Sequence, residues 1–237
     1  LVSQIYPGLY EPDGTSHIVP QPNSVTGITI NVLDFGADSL DNHFDDRPAI
    51  EAALRSASAG DEIYFPAGVY NFRTAKPGDT HSHILPKSGV NWRGESMVGT
   101  ILKSAFGDKT IDRFFKMRGA HDIVFSQFTI TSNFQGSYST DVVTNNPDAG
   151  GPKYVISIED DSGMPSYNIA VDSVLVENYR VHGVRLSNSH DVVVMNSIFQ
   201  KATDVAGGGA GYGVSIQGNK QQDNNSKFNI IEDCRFL

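Results

Sequence analysis

Asp122-Ile123-Val124-Phe125-Ser126-Gln127-Phe128-Thr129-Ile130 is the first of four stretches of this chain that can be laid on one another. The others are Asn168-Ile169-Ala170-Val171-Asp172-Ser173-Val174-Leu175-Val176, Asp191-Val192-Val193-Val194-Met195-Asn196-Ser197-Ile198-Phe199 and Phe228-Asn229-Ile230-Ile231-Glu232-Asp233-Cys234-Arg235-Phe236. Each alternates outward polar with inward apolar side chains, turns a corner and closes on a large apolar residue. The closing residues Ile130, Val176, Phe199 and Phe236 are separated by 46, 23 and 37 positions. The shortest step matches one coil of a parallel β-helix, and the longer ones read as a coil plus an inserted loop. One repeat of this size cannot bury its apolar face alone, so neighbouring copies must stack. An all-β solenoid, a right-handed parallel β-helix, is expected.

Working outward, residues 1–28 carry Pro7, Pro12, Pro20 and Pro22 among Gly, Asp and Ser, which reads as an extended arm. A short strand, Thr29-Ile30-Asn31-Val32, follows, then an acidic loop and the amphipathic segment Asp45 to Leu54. That segment predicts a capping α-helix. Asp45 or Asp46 can accept its orphan amide hydrogens, and Pro48 sits where a missing N–H does no harm. Ile50, Ala53 and Leu54 share its apolar face, and Gly60 follows the last turn. Strand patterns resume at 61–65 and 68–70, then at 89–95 and 100–102. The expected division is therefore an arm over 1–28 and a β-helix over 29–237, with its cap over about 29–60.

The blocks Val32-Leu33-Asp34-Phe35-Gly36-Ala37, Asp45-Asp46, Ala49 to Leu54 and Ile63-Tyr64-Phe65-Pro66-Ala67-Gly68-Val69-Tyr70 resemble, in order and spacing, the amino-terminal cap of the pectate-lyase-like superfamily. This superfamily holds pectin-active hydrolases and lyases, alginate epimerases, several glucanases and phage tailspike depolymerases. The resemblance implies the parallel β-helix and a polysaccharide partner, and leaves the reaction open. One departure is Leu40-Asp41-Asn42, where the family often has Gly-Asp-Gly.

Composition narrows the classes further. With 39% apolar and 19% charged residues the chain can bury a sizeable core. The net charge of -9, with no basic stripe, argues against nucleic-acid binding. The same charge disfavours a polyanionic substrate unless cations bridge it, although local placement can override the total. No run is long enough to span a membrane as a helix. The start Leu1-Val2-Ser3-Gln4 lacks the features of a signal peptide, so an export signal is expected to have been removed from a secreted protein. The lone Cys234 rules out an internal disulfide framework and falls on an inward position, where a buried thiol is expected.

Loops inserted between coils wall a cleft on such a ridged solenoid. Residues 131–153 form one insertion, with Phe134 and Tyr138 available to stack on sugars, and a second holds Gly207-Gly208-Gly209-Ala210-Gly211-Tyr212. Beside them, three strands align coil by coil at Tyr154-Val155-Ile156-Ser157-Ile158, His182-Gly183-Val184-Arg185-Leu186 and Tyr212-Gly213-Val214-Ser215-Ile216. Ser157, Arg185 and Ser215 make the outward column, continued by Glu159, Ser187 and Gln217. Tyr154 and Tyr212 flank His182, which suits a sugar-binding surface or an ordinary stacked ladder.

Glu159-Asp160-Asp161 is the sharpest catalytic candidate. Adjacent acids can provide one ionised carboxylate and one with a raised pKa, the division that glycosidic hydrolysis needs. They also suit a solvated turn or a calcium ion, although no cofactor is required. Polygalacturonase-type hydrolases pair adjacent aspartates with a His-Gly one coil later, and His182-Gly183 follows Asp161 by 21 residues. The register differs, because Asp160 and Asp161 follow their strand where the family's aspartates precede theirs. A lyase needs a base beside a uronate carboxyl and a cation for the developing charge, for which Arg185, Lys201, His182 and His190 are available. The epimerase pattern Tyr-x-x-Asp-x-His is absent. His190 reads as an exposed turn residue, and Lys201 and Asp204 as groove floor or a surface pair.

The chain stops on an ordinary coil at Phe236-Leu237, so a further segment or a second chain is expected to cover that end. Taken together, the sequence favours a secreted enzyme that cleaves polysaccharide, with hydrolysis ahead of lyase or epimerase chemistry. Asp160, Asp161 and His182 are the catalytic candidates. Glu159, Arg185, Tyr154, Tyr212, Tyr138, Lys201 and Asp204 are the substrate contacts. A tailspike-like protein that binds glycan without turnover is the alternative of a different class.

Overall fold

The computed structural model describes residues 26–106, 111–206, 210–218 and 226–237. The arm expected over 1–28 lies almost wholly outside the described residues. Strand β1 (Thr29–Asn31) leads into a 3-10 turn (Val32–Phe35) and then helix α1 (Arg47–Ser56). Val32, Ile50, Ala53 and Leu54 close the end of the solenoid core. The two acids before the helix divide their work. Asp45 accepts from the Arg47 and Arg73 amides at 3.3 and 2.9 Å. Asp46 is buried and makes no side-chain cap. It accepts instead from the Asp38 and Asn71 amides at 2.8 and 2.7 Å, tying the acidic loop to the first coil.

Each coil contributes a first, a second and a third strand. The early coils hold β2 (Glu62–Phe65), β3 (Gly68–Phe72) and β4 (Ser82–Ile84), then β5 (Asn91–Gly94), β6 (Thr100–Ser104) and β7 (Arg113–Arg118). The next two are β8 (His121–Ser132) with β9 (Tyr154–Glu159), and β10 (Ser166–Glu177) with β11 (His182–Ser187). The last are β12 (Ser189–Met195), β13 (Ile198–Gln200) and β14 (Tyr212–Gln217), followed by β15 (Ile230–Glu232) and β16 (Arg235–Phe236). Because β8 and β10 run through the first corner without a break, the first two columns merge into one sheet of 11 strands. The third column is a separate five-stranded sheet in the order β14-β11-β9-β7-β4. Every pairing between these strands is parallel, and the fold is a right-handed parallel β-helix.

The register is the one read from the repeats. Ile130 pairs with Val176, Val176 with Phe199, and Phe199 with Phe236. The first corner is made by Gln127, Ser173, Asn196 and Asp233, whose φ angles lie between 49° and 61°. A side chain at positive φ costs free energy, least for Asn and Asp, so the corner is a strained column that only stacking sustains. Inside, Phe65, Trp92 and Phe125 stack at 6.0 and 6.3 Å. Cys234 is partly buried and packs against the core.

Two strands, β4 and β7, lie outside the expected set. In β7, Phe114 and Phe115 are adjacent and both fully buried, which hides the alternation that marks a strand. Phe114 fills the coil corner against Phe72 at 4.6 Å, whereas Phe115 faces the central stack against Trp92 at 5.1 Å.

Candidate functional site

The five-stranded sheet of the third column carries the site. His182 pairs with Tyr154 on one side and Tyr212 on the other, Arg185 with Ser157 and Ser215, and Ser187 with Glu159 and Gln217. The rings of Tyr154, His182 and Tyr212 form a ladder with centroids 5.2 and 5.4 Å apart. His182 is 4% exposed and Tyr212 49%, so the tyrosine offers surface while the imidazole is held between its neighbours. Ser215 Oγ lies 3.0 Å from His182 Nδ1. Burial, and then the charges of Arg185 and Lys153, push the His182 pKa down to about 4. Its imidazole is therefore neutral at neutral pH.

A cavity of about 530 Å³ opens over this ladder, lined by Asn145, Lys153, Tyr154, Arg180, Val181, His182, Asp204, Ala206, Ala210 and Gln217. Asp204 is buried, and its Oδ1 accepts from the Asn146 and Ala206 amides at 3.2 and 3.1 Å. Asn146 Nδ2 also donates to Ser137 O and Thr203 O, so the insertion over 131–153 is stitched to the segment after β13. Both form the cavity wall. Gly207, Gly208 and Gly209 of the second insertion lie outside the described residues.

The cavity is locally basic on an acidic protein. Lys153 and Arg180 line it, and neither makes an ion pair among the described residues. Three cations surround the Tyr154 ring: Arg185, Lys153 and Arg113, at 5.1, 5.3 and 5.6 Å from its centroid. Arg185 Nη1 also holds Glu159 Oε1 at 3.0 Å, and its Nε donates to Gln217 at 3.2 Å.

The acidic triplet does not converge. Glu159 Oε1 accepts from Ser157, Arg113 and Arg185 at 2.6, 2.8 and 3.0 Å. Burial alone would raise its pKa. The hydrogen bonds from Ser157 and Arg113 and the two guanidinium charges outweigh that and leave it lowered. Asp160 accepts from Asn188 and the Gly163 amide, each at 3.2 Å. Asp161 pairs with Arg118 at 3.0 Å and closes a turn with Met164. A strand rises roughly 3.3 Å per residue. Asp160 and Asp161, just past the end of β9, are therefore a full strand length from the His182 level, and neither lines the cavity. The structure does not bring Asp160 and Asp161 together with His182.

Tyr138 and Lys201 also sit apart, on a second cavity of about 310 Å³ shared with Tyr179, Phe199 and Phe236. Tyr138 donates to Asn178 at 2.5 Å and Lys201 pairs with Glu177 at 3.0 Å. Phe134 is packed inside its own loop, against Tyr138 and close to Gly136 and Gly150. His190 corrects the expectation of an exposed turn residue. It lies on β12 and is half-buried in a ladder of near-parallel rings, His121–Tyr167–His190, at 4.8 and 5.3 Å. Lys153 and Arg180 were not among the expected site residues. Their signal is a basic residue just before the strand entrance in successive coils, Lys153-Tyr154 and Arg180-Val181-His182.

Among the described residues no three His, Cys, Asp or Glu side chains come close enough to hold a metal ion together. No helix among them is long and apolar enough to cross a membrane.

A solenoid of parallel coils with a loop-walled groove on its five-stranded sheet defines the class: the pectate-lyase-like β-helix proteins. The chain belongs to the family described as "Rhamnogalacturonase A/epimerase, pectate lyase-like", whose model matches residues 29–234. Over 76 residues it is 42% identical to mannuronan C5-epimerase AlgE1 of Azotobacter vinelandii, a stretch covering 31% of this chain and 5% of that protein. The surface adhesin PfbA of Streptococcus pneumoniae superposes with a TM-score of 0.61 at 16% identity, over 87% of this chain and 48% of that one. The Agl-KA catalytic domain gives 0.54 at 18% identity, over 86% and 37%. The chain thus spans less than half the length of these proteins, and the two structural likenesses speak to fold alone.

Proposed function

We propose that this chain acts on an acidic polysaccharide laid along its five-stranded sheet, by taking a proton from the carbon beside a uronate carboxylate. That step is common to lyases and C5-epimerases. The observation that carries the reading is the pair of cavity-lining cations, Lys153 and Arg180, without an acid partner among the described residues. They would hold the substrate carboxylate and stabilise the charge that develops on it as the proton leaves. Neutral His182 and the Asp204 carboxylate are the proton acceptors on the same wall, and Tyr154 and Tyr212 are sugar contacts. The similarity to mannuronan C5-epimerase AlgE1 supports the same class of substrate. On this reading the two cations supply the charge stabilisation, with calcium as the cofactor to test for, and the protein acts outside the cell.

Glycoside hydrolysis has one observation in its favour, the buried Asp204 carboxylate on the cavity wall. It needs a second carboxyl group within about 5–9.5 Å, and the described lining supplies none. Incubation with polymannuronate, polygalacturonate and a neutral glucan decides between them. Unsaturated, ultraviolet-absorbing products mean a lyase, and an altered uronate composition without cleavage means an epimerase. New saturated reducing ends overturn the proposal in favour of hydrolysis, and binding without turnover overturns it in favour of an adhesin.

A further inference from the structure

His182 has two ring nitrogens, and the fold treats them differently. Nδ1 lies 3.0 Å from Ser215 Oγ, on the neighbouring strand β14. His182 lines the groove cavity and Ser215 does not, so Nε2 is the nitrogen left for the cavity. The rings of Tyr154 and Tyr212, with centroids at 5.2 and 5.4 Å, hold the imidazole between them. They do not distinguish the ring from its 180° flip, which exchanges each nitrogen with a carbon. Ser215 does, because its hydroxyl bonds a nitrogen and gains nothing from a carbon.

A serine hydroxyl can donate to Nδ1 or accept from it, and the nearby charges favour the second. Lys153 and Arg180 line the cavity without an acid partner among the described residues. Asp204, the one carboxylate of that lining, has its Oδ1 turned to the Asn146 and Ala206 amides. On the Ser215 side, Arg185 is held by Glu159 at 3.0 Å. A lone pair on Nε2 therefore meets uncompensated positive charge favourably, whereas an N–H there would present its positive end to it. We propose that Ser215 is a positioning residue that accepts from His182 Nδ1–H and so leaves the Nε2 lone pair open to the cavity. Only the catalytic consequence rests on the groove reading. In that reaction the C–H bond beside the uronate carboxylate breaks and its proton forms the Nε2–H bond. The electron pair passes into the carboxylate held by Lys153 and Arg180. The bond from Nδ1–H to Ser215 becomes charge-assisted as the ring turns cationic, which steadies the imidazolium. A substrate carboxylate beside Lys153 also cancels one of the charges that depress the ring's basicity.

Long-range proton–nitrogen NMR of the isotope-labelled full chain at neutral pH tests it, since a ring nitrogen that carries hydrogen is distinguished from one that does not. His182→Phe identifies the His182 signals. The wild type is expected to show Nδ1 protonated and Nε2 bare. Ser215→Ala is expected to mix the two tautomers, and Ser215→Thr, which keeps the hydroxyl, to restore the first. Nε2 protonated in the wild type overturns the proposal, and so does an unchanged tautomer in Ser215→Ala. On polyuronate, Ser215→Ala should lower kcat about tenfold with KM within about twofold, because the proton acceptor is misplaced while the substrate contacts stay. Ser215→Thr should recover most of that rate. An unchanged kcat in an active protein overturns the positioning role and leaves the groove reading standing. A wild type that turns over no polyuronate removes the groove reading, and the nitrogen spectra still decide the tautomer.

Discussion

Arg185 reaches one coil back to Glu159, Nη1 to Oε1 at 3.0 Å, and shares that oxygen with Arg113 at 2.8 Å. One carboxylate thus separates two guanidinium groups on the outward face of the five-stranded sheet. Glu159→Gln removes the charge and leaves the cations facing each other, with an expected loss of about 1–3 kcal/mol in denaturant or thermal unfolding. The folded pKa of Glu159 is lowered, so its contribution is present above the ordinary glutamate range and is lost as pH falls through the folded value. The gap between wild type and Glu159→Gln should therefore be full at neutral pH and close in acid. A gap independent of pH would refute the ion-pair account.

Two buried imidazoles destabilise the fold in acid in the same direction, beginning at a higher pH. His83 and His182 are both pushed down to about 4, chiefly by burial. An unfolded histidine protonates near 6.5. Between about pH 6.5 and 4 the unfolded chain therefore binds more protons, and stability must fall as pH falls across that window. Below it the loss levels off. Proton NMR should show two of the histidine ring resonances titrating near pH 4, and His182→Phe should flatten part of the acid limb.

The solenoid was legible because its evidence is periodic. Ile130, Val176, Phe199 and Phe236 occupy equivalent places in four successive coils, so a burial pattern that repeats at coil length can be read without knowing any contact. The strands that escaped are those whose residues answer to two neighbours at once. Phe114 and Phe115 are both inward, one toward a corner and one toward the central stack, and no single-strand rule produces that pair.

Gly183 tests the tightness of this stacking. A Cβ added there would lie 2.5 Å from Phe199 Cδ1 and 2.6 Å from the carbonyl oxygen of Gly213 in the next coil. The ring could turn aside, but the backbone oxygen cannot without parting β11 from β14. Gly183→Ala should cost about 1–3 kcal/mol, and more if the Phe199–Phe236 stack at 5.4 Å is broken. Unfolding midpoints of the two chains, compared at equal denaturant slope, measure it.

The site was less legible, for a reason of geometry. Adjacency in sequence made Glu159-Asp160-Asp161 look like one constellation, yet alternation along the strand and the turn after it send their carboxylates to Arg113 and Arg185, to Asn188, and to Arg118. Lys153 and Arg180 are 27 positions apart in the chain, and stacked coils bring them to one cavity. An acidic total charge conceals such a cluster, because net charge carries no information about placement.

That cluster yields the most direct test of the groove. A charge-assisted hydrogen bond to a carboxylate is about twice as strong as a neutral one, so Lys153→Ala and Arg180→Ala should each weaken binding of an acidic oligosaccharide roughly tenfold. Neutral oligosaccharides, which meet the same tyrosines without the carboxylate, should lose little. The acidic ligand's affinity should also fall with added salt in the wild type, and fall less steeply in each variant, because one screened contact is gone. Equal losses for acidic and neutral ligands would mean that the two cations only shape the wall. Titration of both ligands at two ionic strengths separates a carboxylate site from a merely structural one.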